Sequence, residues 1–182
     1  MKNLIFLVAL LLSMTVLTLV FAQDSPGDVW IIPALSRVRV GSWFATEVHA
    51  NTEKQMLAAY KLYIIYDKRI ISPNTSVGTD SVEAGADGFV TAVNVNYSGT
   101  LKINGFDAVG TGPGENLHLL TINWIAHTED QGSMILDIHF WQPKDPNSIT
   151  IGLPNRIDGE IELYVSVLGD VNEDERIGIV DA

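Results

Sequence analysis

Apolar and polar side chains alternate with a period of two along most of the chain from Trp43 onward, which is the spacing of β-strands and not of helices. The longest such run is Ala58 to Asp67 (AAYKLYIIYD). It places Tyr60, Leu62, Ile64 and Tyr66 on one wholly apolar face, and Ala59, Lys61, Tyr63 and Ile65 on a mixed one. The first face reads as core. The second reads as the outer face of a central strand, wet enough for a charge and apolar enough to receive a partner. Trp43 to Ala50 sets Phe44, Thr46, Val48 and Ala50 against Trp43, Glu47 and His49, and Phe89 to Tyr97 sets Phe89, Thr91, Val93 and Val95 against Val90, Ala92, Asn94 and Asn96. Further strands are expected at Thr100 to Phe106 with Leu101 and Ile103 inward, and at Leu117 to His127 with Leu120, Ile122, Trp124 and Ala126 inward. Ser133 to Trp141 points Met134, Leu136, Ile138 and Phe140 inward, and Glu160 to Leu168 does the same with Ile161, Leu163, Val165 and Val167.

Turn-forming clusters separate these runs: Ser72-Pro73-Asn74, Ala84 to Gly88, Ser98-Gly99, Gly110 to Gly114, Gln131-Gly132, Pro143 to Asn147 and Asp158-Gly159. No amphipathic helix follows the leader. Many short strands punctuated in this way predict an all-β protein, an antiparallel β-sandwich, with a closed barrel as the alternative.

The leader changes the picture of where the protein works. Met1 to Ala22 carries Lys2, an apolar stretch from Leu4 to Val20 and a small-residue exit at Val20-Phe21-Ala22, which predicts a secretory signal cleaved before Gln23. An uncleaved membrane anchor is the alternative, disfavoured by the absence of a basic flank. A net charge of −11 argues against nucleic acid, whose phosphates need Lys and Arg, and against an anionic membrane surface. With no cysteine there is neither a disulfide nor a thiolate metal site, so any added staple is packing or an oxygen-ligated ion.

The succession VGSWFATEVHANT, LAAYKLYIIYD, SGTLKINGFDA, a Gly-rich loop and NLHLLTINWIA resembles a cohesin domain over residues 28–168. Trp43, Trp124 and the insertion from Gln142 to Arg156 depart from the family pattern. The resemblance implies a jelly-roll sandwich without catalysis, which binds a dockerin-bearing or other extracellular protein in polysaccharide-degrading assemblies. It places docking on the strands at Phe89 to Tyr97, Thr100 to Phe106, Ala58 to Asp67 and Ser133 to Trp141. Their outward positions are Asn94, Asn96, Lys102, Asn104, Lys61, Tyr63, Ile65, His139 and Trp141, a mixture of aromatic anchors and polar groups suited to an interface.

The tail Gly169 to Ala182 (GDVNEDERIGIVDA) has the oxygen spacing of a twelve-residue calcium loop. Its ligands would be Asp170, Asn172, Asp174, the main-chain carbonyl of Arg176, and Asp181. The segment resembles the first half of a dockerin repeat. Glu175 stands where the loop wants Gly, Gly178 offers no side-chain oxygen, and no second repeat follows, so weak calcium affinity is expected.

Other chemistry finds little support. The four histidines, His49, His118, His127 and His139, fall on three expected strands without zinc-protease spacing, and are read as ordinary strand residues. Gly110 to Gly114 contains Pro113 and no following Lys, so it reads as a hairpin loop and not a phosphate cradle. No G-x-S-x-G motif or acidic pair marks a hydrolase. Asn74-Thr75-Ser76 and Asn96-Tyr97-Ser98 fit glycosylation acceptors. The main rival to protein docking is polysaccharide binding on Trp43, Tyr63, Trp141 and Tyr164, which would need their rings in one row; a hydrolase fragment and an adhesive surface protein are the remaining readings.

Overall fold

The computed structural model describes residues 25–78, 80–96, 98–127 and 132–165. The expected leader and the expected calcium loop, with Asp170, Asn172, Asp174, Arg176 and Asp181, lie outside the described residues. The described residues form strands, turns and loops with no helix, arranged as two sheets face to face.

The first sheet holds β1 (Val29–Ile32), β3 (Trp43–Ala50), β5 (Ile71–Pro73), β6 (Val82–Ala84), β9 (Leu117–Ala126) and β11 (Arg156–Ile157), in the order β11-β1-β3-β9-β5, with β6 also pairing β9. The second holds β2 (Leu35–Arg39), β4 (Leu57–Ile65), β7 (Ala92–Asn96), β8 (Thr100–Thr111), β10 (Gly132–Lys144) and β12 (Gly159–Tyr164), in the order β2-β12-β10-β4-β8-β7. Pairing is antiparallel except for β1 with β11 and β12 with β2. The sandwich is therefore two open sheets, and the closed barrel is not what forms.

The core lies between the layers and follows the period of two. Tyr60, Leu62, Ile64 and Tyr66 meet Leu120, Ile122, Trp124 and Ala126 in one cluster with Leu101, Ile103, Leu136, Ile138 and Ile161. Apolar area removed from water in this way supplies the main stabilising term, at about 25 cal/mol per Å². Trp124, large for its site, is fully buried, and its indole N–H donates to Thr46 Oγ1 at 2.9 Å.

Some boundaries differ from the expected ones. Phe89, Val90 and Thr91 precede β7 and do not belong to it. Their backbone is used elsewhere: the Phe89 carbonyl accepts the Tyr60 hydroxyl, and Thr91 N–H donates to the Asn104 carbonyl. β8 runs past Phe106 to Thr111, where Leu57 pairs across a register shift. Short strands β1, β2, β5, β6 and β11 are too brief for periodicity to reveal. The insertion between Gln142 and Arg156 folds back on the sandwich, burying Ile151 and delivering β11 to the edge of β1. Asn74 is 3% exposed, and its Oδ1 accepts from the Ser76 hydroxyl at 2.5 Å, so this expected glycosylation acceptor is occluded.

Candidate functional site

The four strands that the sequence marks for docking are neighbours, in the order β10-β4-β8-β7. Their register makes the outer face a grid. Across β10 and β4, Asp137 stands opposite Ile65, His139 opposite Tyr63 and Trp141 opposite Lys61. Across β4 and β8, Ile65 meets Thr100, Tyr63 meets Lys102, Lys61 meets Asn104 and Ala59 meets Phe106. Asn94 lies opposite Lys102 on β7, and the Asn96 backbone pairs with Thr100 at the outer edge. Lys61, Tyr63, Ile65, Asn94, Lys102, Asn104, His139 and Trp141 therefore share one face.

At its centre, Tyr63, Ile65, Thr100, Lys102, His139 and Trp141 line an open, shallow depression of about 370 Å³. Ile65 is 43% exposed and Trp141 54%. Such side chains on a flat sheet keep apolar surface in water until something covers it. The Lys102 ammonium lies 5.7 Å from the Tyr63 ring centroid, a cation–π contact that leaves the charge at the rim. His139 Nε2 is 3.0 Å from Asp137 Oδ1, and the Arg156 guanidinium approaches the same carboxylate at 3.7 Å, which holds the imidazole beside the depression.

Two further exposed side chains on this face, Phe106 at 65% and Ile135 at 62%, belong with the expected set. Strand parity places Phe106 with Lys102 and Asn104, and Ile135 with Asp137 and His139, so the signal was present in the alternation. A bulge in β10 between Trp141 and Lys144, where Gln142 takes φ of 50°, puts Lys144 in one cross-strand row with Ala59 and Phe106. Lys144, carried opposite Ala59 by the same bulge, adds a third lysine to Lys61 and Lys102, in a chain whose net charge is −11. Toward the other edge the face turns acidic, with Glu160 opposite Ile135 and Glu162 opposite Ser133.

The four aromatics that a sugar platform would use do not form a row. Trp43, 69% exposed, lies on β3 in the other sheet. Tyr164 is on β12 under the Arg37 guanidinium, 4.9 Å from its centroid. Only Tyr63 and Trp141 are neighbours.

The site is thus a broad, partly apolar outer sheet on a two-layered β-sandwich, an architecture that hosts many functions. No family model matches the chain, and no curated protein does. Solved structures do match, and the fold they share with this chain is that of cohesin domains. The chain is similar to the OlpA cohesin of the Coh-OlpA-Doc918 complex from Clostridium thermocellum, with a TM-score of 0.61 and 14% identity, covering 75% of this chain and 99% of that one. It is similar to the seventh ScaB type I cohesin from Pseudobacteroides cellulosolvens, with a TM-score of 0.61 and 13% identity over 77% of this chain and 93% of that one. A non-cellulosomal cohesin from the archaeon Archaeoglobus fulgidus gives a TM-score of 0.50 and 13% identity, over 81% and 99% of the respective chains.

Proposed function

We propose that this chain is a secreted, non-catalytic adaptor that docks a protein partner on the outer face of β10-β4-β8-β7. The observation that carries the reading is the depression between Tyr63 and Trp141, apolar at its floor and lined on one side by Lys102, with Lys61 and Lys144 on the same face. Aromatic anchors inside a polar rim are how protein interfaces concentrate their affinity. Lysines gathered on one face of an acidic chain favour an acidic partner through charge complementarity. Support for a dockerin as that partner comes from the fold shared with the Coh-OlpA-Doc918 cohesin and from the motif resemblance. Association with extracellular polysaccharide-degrading assemblies belongs to the same proposal. The tail from Asp170 to Asp181 is proposed as a calcium loop of weak affinity.

The test is surface plasmon resonance of the full chain against a panel of calcium-loaded dockerins, with adsorption to insoluble cellulose as the competing arm. Binding to a dockerin that falls about tenfold or more in Trp141→Ala and Tyr63→Ala, with unchanged thermal melts, supports the docking face. Binding to no dockerin, binding indifferent to both substitutions, or adsorption to cellulose alone would overturn it.

A further inference from the structure

The outer face of the opposite sheet carries a second cluster, which the spacing of the histidines did not announce. Glu47, His49 and His118 each offer one ligand atom, and these atoms all lie within 4.8 Å of one another. We propose that they form a transition-metal site, with Zn2+ as the ion that fits, independent of the docking face.

Strand geometry explains the convergence. Glu47 and His49 are two apart on β3 and share a face, and the register sets Thr121 opposite Glu47 and His118 opposite His49. Between these pairs β9 carries Leu119 as an extra residue, since Val48 pairs with Leu120 and His49 with His118. Without that bulge His118 would have the parity of Leu120 and Ile122 and point into the core.

The hydrogen bonds suit a metal ligand. His49 Nδ1 is 2.8 Å from Asn116 Oδ1, so the amide oxygen can accept its proton and leave Nε2 for a proton shared with Glu47 or for a metal. That nitrogen lies 2.9 Å from Glu47 Oε2. Two electron-rich atoms this close require a cation between them, either a proton or a metal. His49 is 7% exposed and stacked between Trp30 and His118, at centroid distances of 6.0 and 5.0 Å, which fixes its ring. Glu47 is 45% exposed at its side chain, leaving an entry path and room for water to complete the shell.

Tetrahedral zinc with ligands near 2.0–2.1 Å sets donors about 3.3 Å apart. The Glu47 and His49 donors, 2.9 Å apart, need to open by about 0.4 Å, and the His118 donor has to move in by about 1.5 Å at most. The His118 ring reaches it by turning out of its near-parallel stack on His49, exchanging the 3.1 Å contact of Nε2 with Thr121 Oγ1 for the metal. Two imidazoles and one carboxylate select Zn2+ over Ca2+ and Mg2+, which take oxygen ligands.

Isothermal titration calorimetry of the full chain with ZnCl2, and with CaCl2 and MgCl2 as controls, tests the site. One Zn2+ per chain is expected, unaffected by equimolar Ca2+. The half-buried ligand variants Glu47→Gln and His118→Gln should each bind about tenfold or more weakly while keeping the wild-type circular dichroism spectrum. Zn2+ should also shift the His49 and His118 ring signals in NMR spectra and leave those of His127 and His139 in place. Absence of stoichiometric Zn2+ binding overturns the proposal. So do equal affinity in both variants and Zn2+ displaced by Ca2+, which would assign the ion to carboxylates elsewhere.

Discussion

Trp124 and Thr46 form a buried pair across β9 and β3, the indole N–H donating to the threonine hydroxyl at 2.9 Å with both residues essentially closed to solvent. A tryptophan at the centre of a sandwich supplies a large apolar surface and one donor that must be satisfied. Thr46, which by alternation should simply face the core, is the acceptor. Thr46→Val keeps the volume and strands the N–H, so unfolding free energy should fall by about 1–3 kcal/mol in urea titration. A loss below the error of the titration would show that the bond contributes nothing.

Gly105 is where β8 lets the Tyr60 ring through. A Cβ at that position would lie 2.4 Å from Tyr60 Cε1 and 2.8 Å from the Phe89 carbonyl oxygen. The ring cannot retreat easily, because Phe89 and Phe140 pack on it at centroid distances of 5.2 and 5.8 Å. Gly105→Ala should destabilise the chain by about 1–3 kcal/mol through overpacking. Burial raises the Tyr60 pKa well above the ordinary phenol value, so the hydroxyl stays a donor to Phe89. Tyr60→Phe should therefore cost about 1 kcal/mol, read from the same titrations.

Asp67 closes β4 with a turn, its Oδ1 accepting from the Arg69 backbone N–H at 2.9 Å while the Arg69 guanidinium engages the carboxylate. The hydrogen bonds from Arg69 side chain and backbone bring the carboxyl down to about 2, from 3.8. The sign follows: a folded pKa below the unfolded one gives stability that is complete above about pH 4 and lost as pH falls through about 2. Glu47, lowered chiefly by its hydrogen bond to His49, acts in the same direction. Melting temperatures between pH 5 and pH 2 should decline less in Asp67→Asn than in the parent. Parallel curves would exclude Asp67 as a contributor.

Lys102 lines the side of the depression, and Lys61 lies beside it opposite Trp141. Their reversal in Lys61→Glu with Lys102→Glu should slow association with an acidic partner about tenfold and leave dissociation nearly unchanged. Raising salt from 0.05 to 0.5 M should shrink that difference, because rim charges are screened. Stopped-flow or sensor kinetics read both effects, and a change confined to dissociation would place the lysines in the buried contact.

The alternation of apolar and polar positions determined the strands β3, β4, β9 and β10, their inward faces and the outer residues Tyr63, Ile65, Lys102 and Trp141, because a strand's side-chain period is fixed by its backbone. It also carried Phe106 and Ile135, had parity been followed to the ends of the strands. What it could not carry is anything decided by pairing. Phe89 leaves the ladder because its carbonyl serves Tyr60, twenty-nine residues away. The rings of Trp43 and Trp141 fall on different sheets because their strands pair with different partners. His118 turns outward to His49 because β9 holds one residue more than β3 needs, and an extra residue reverses every side chain beyond it, an effect visible only once the two strands lie side by side.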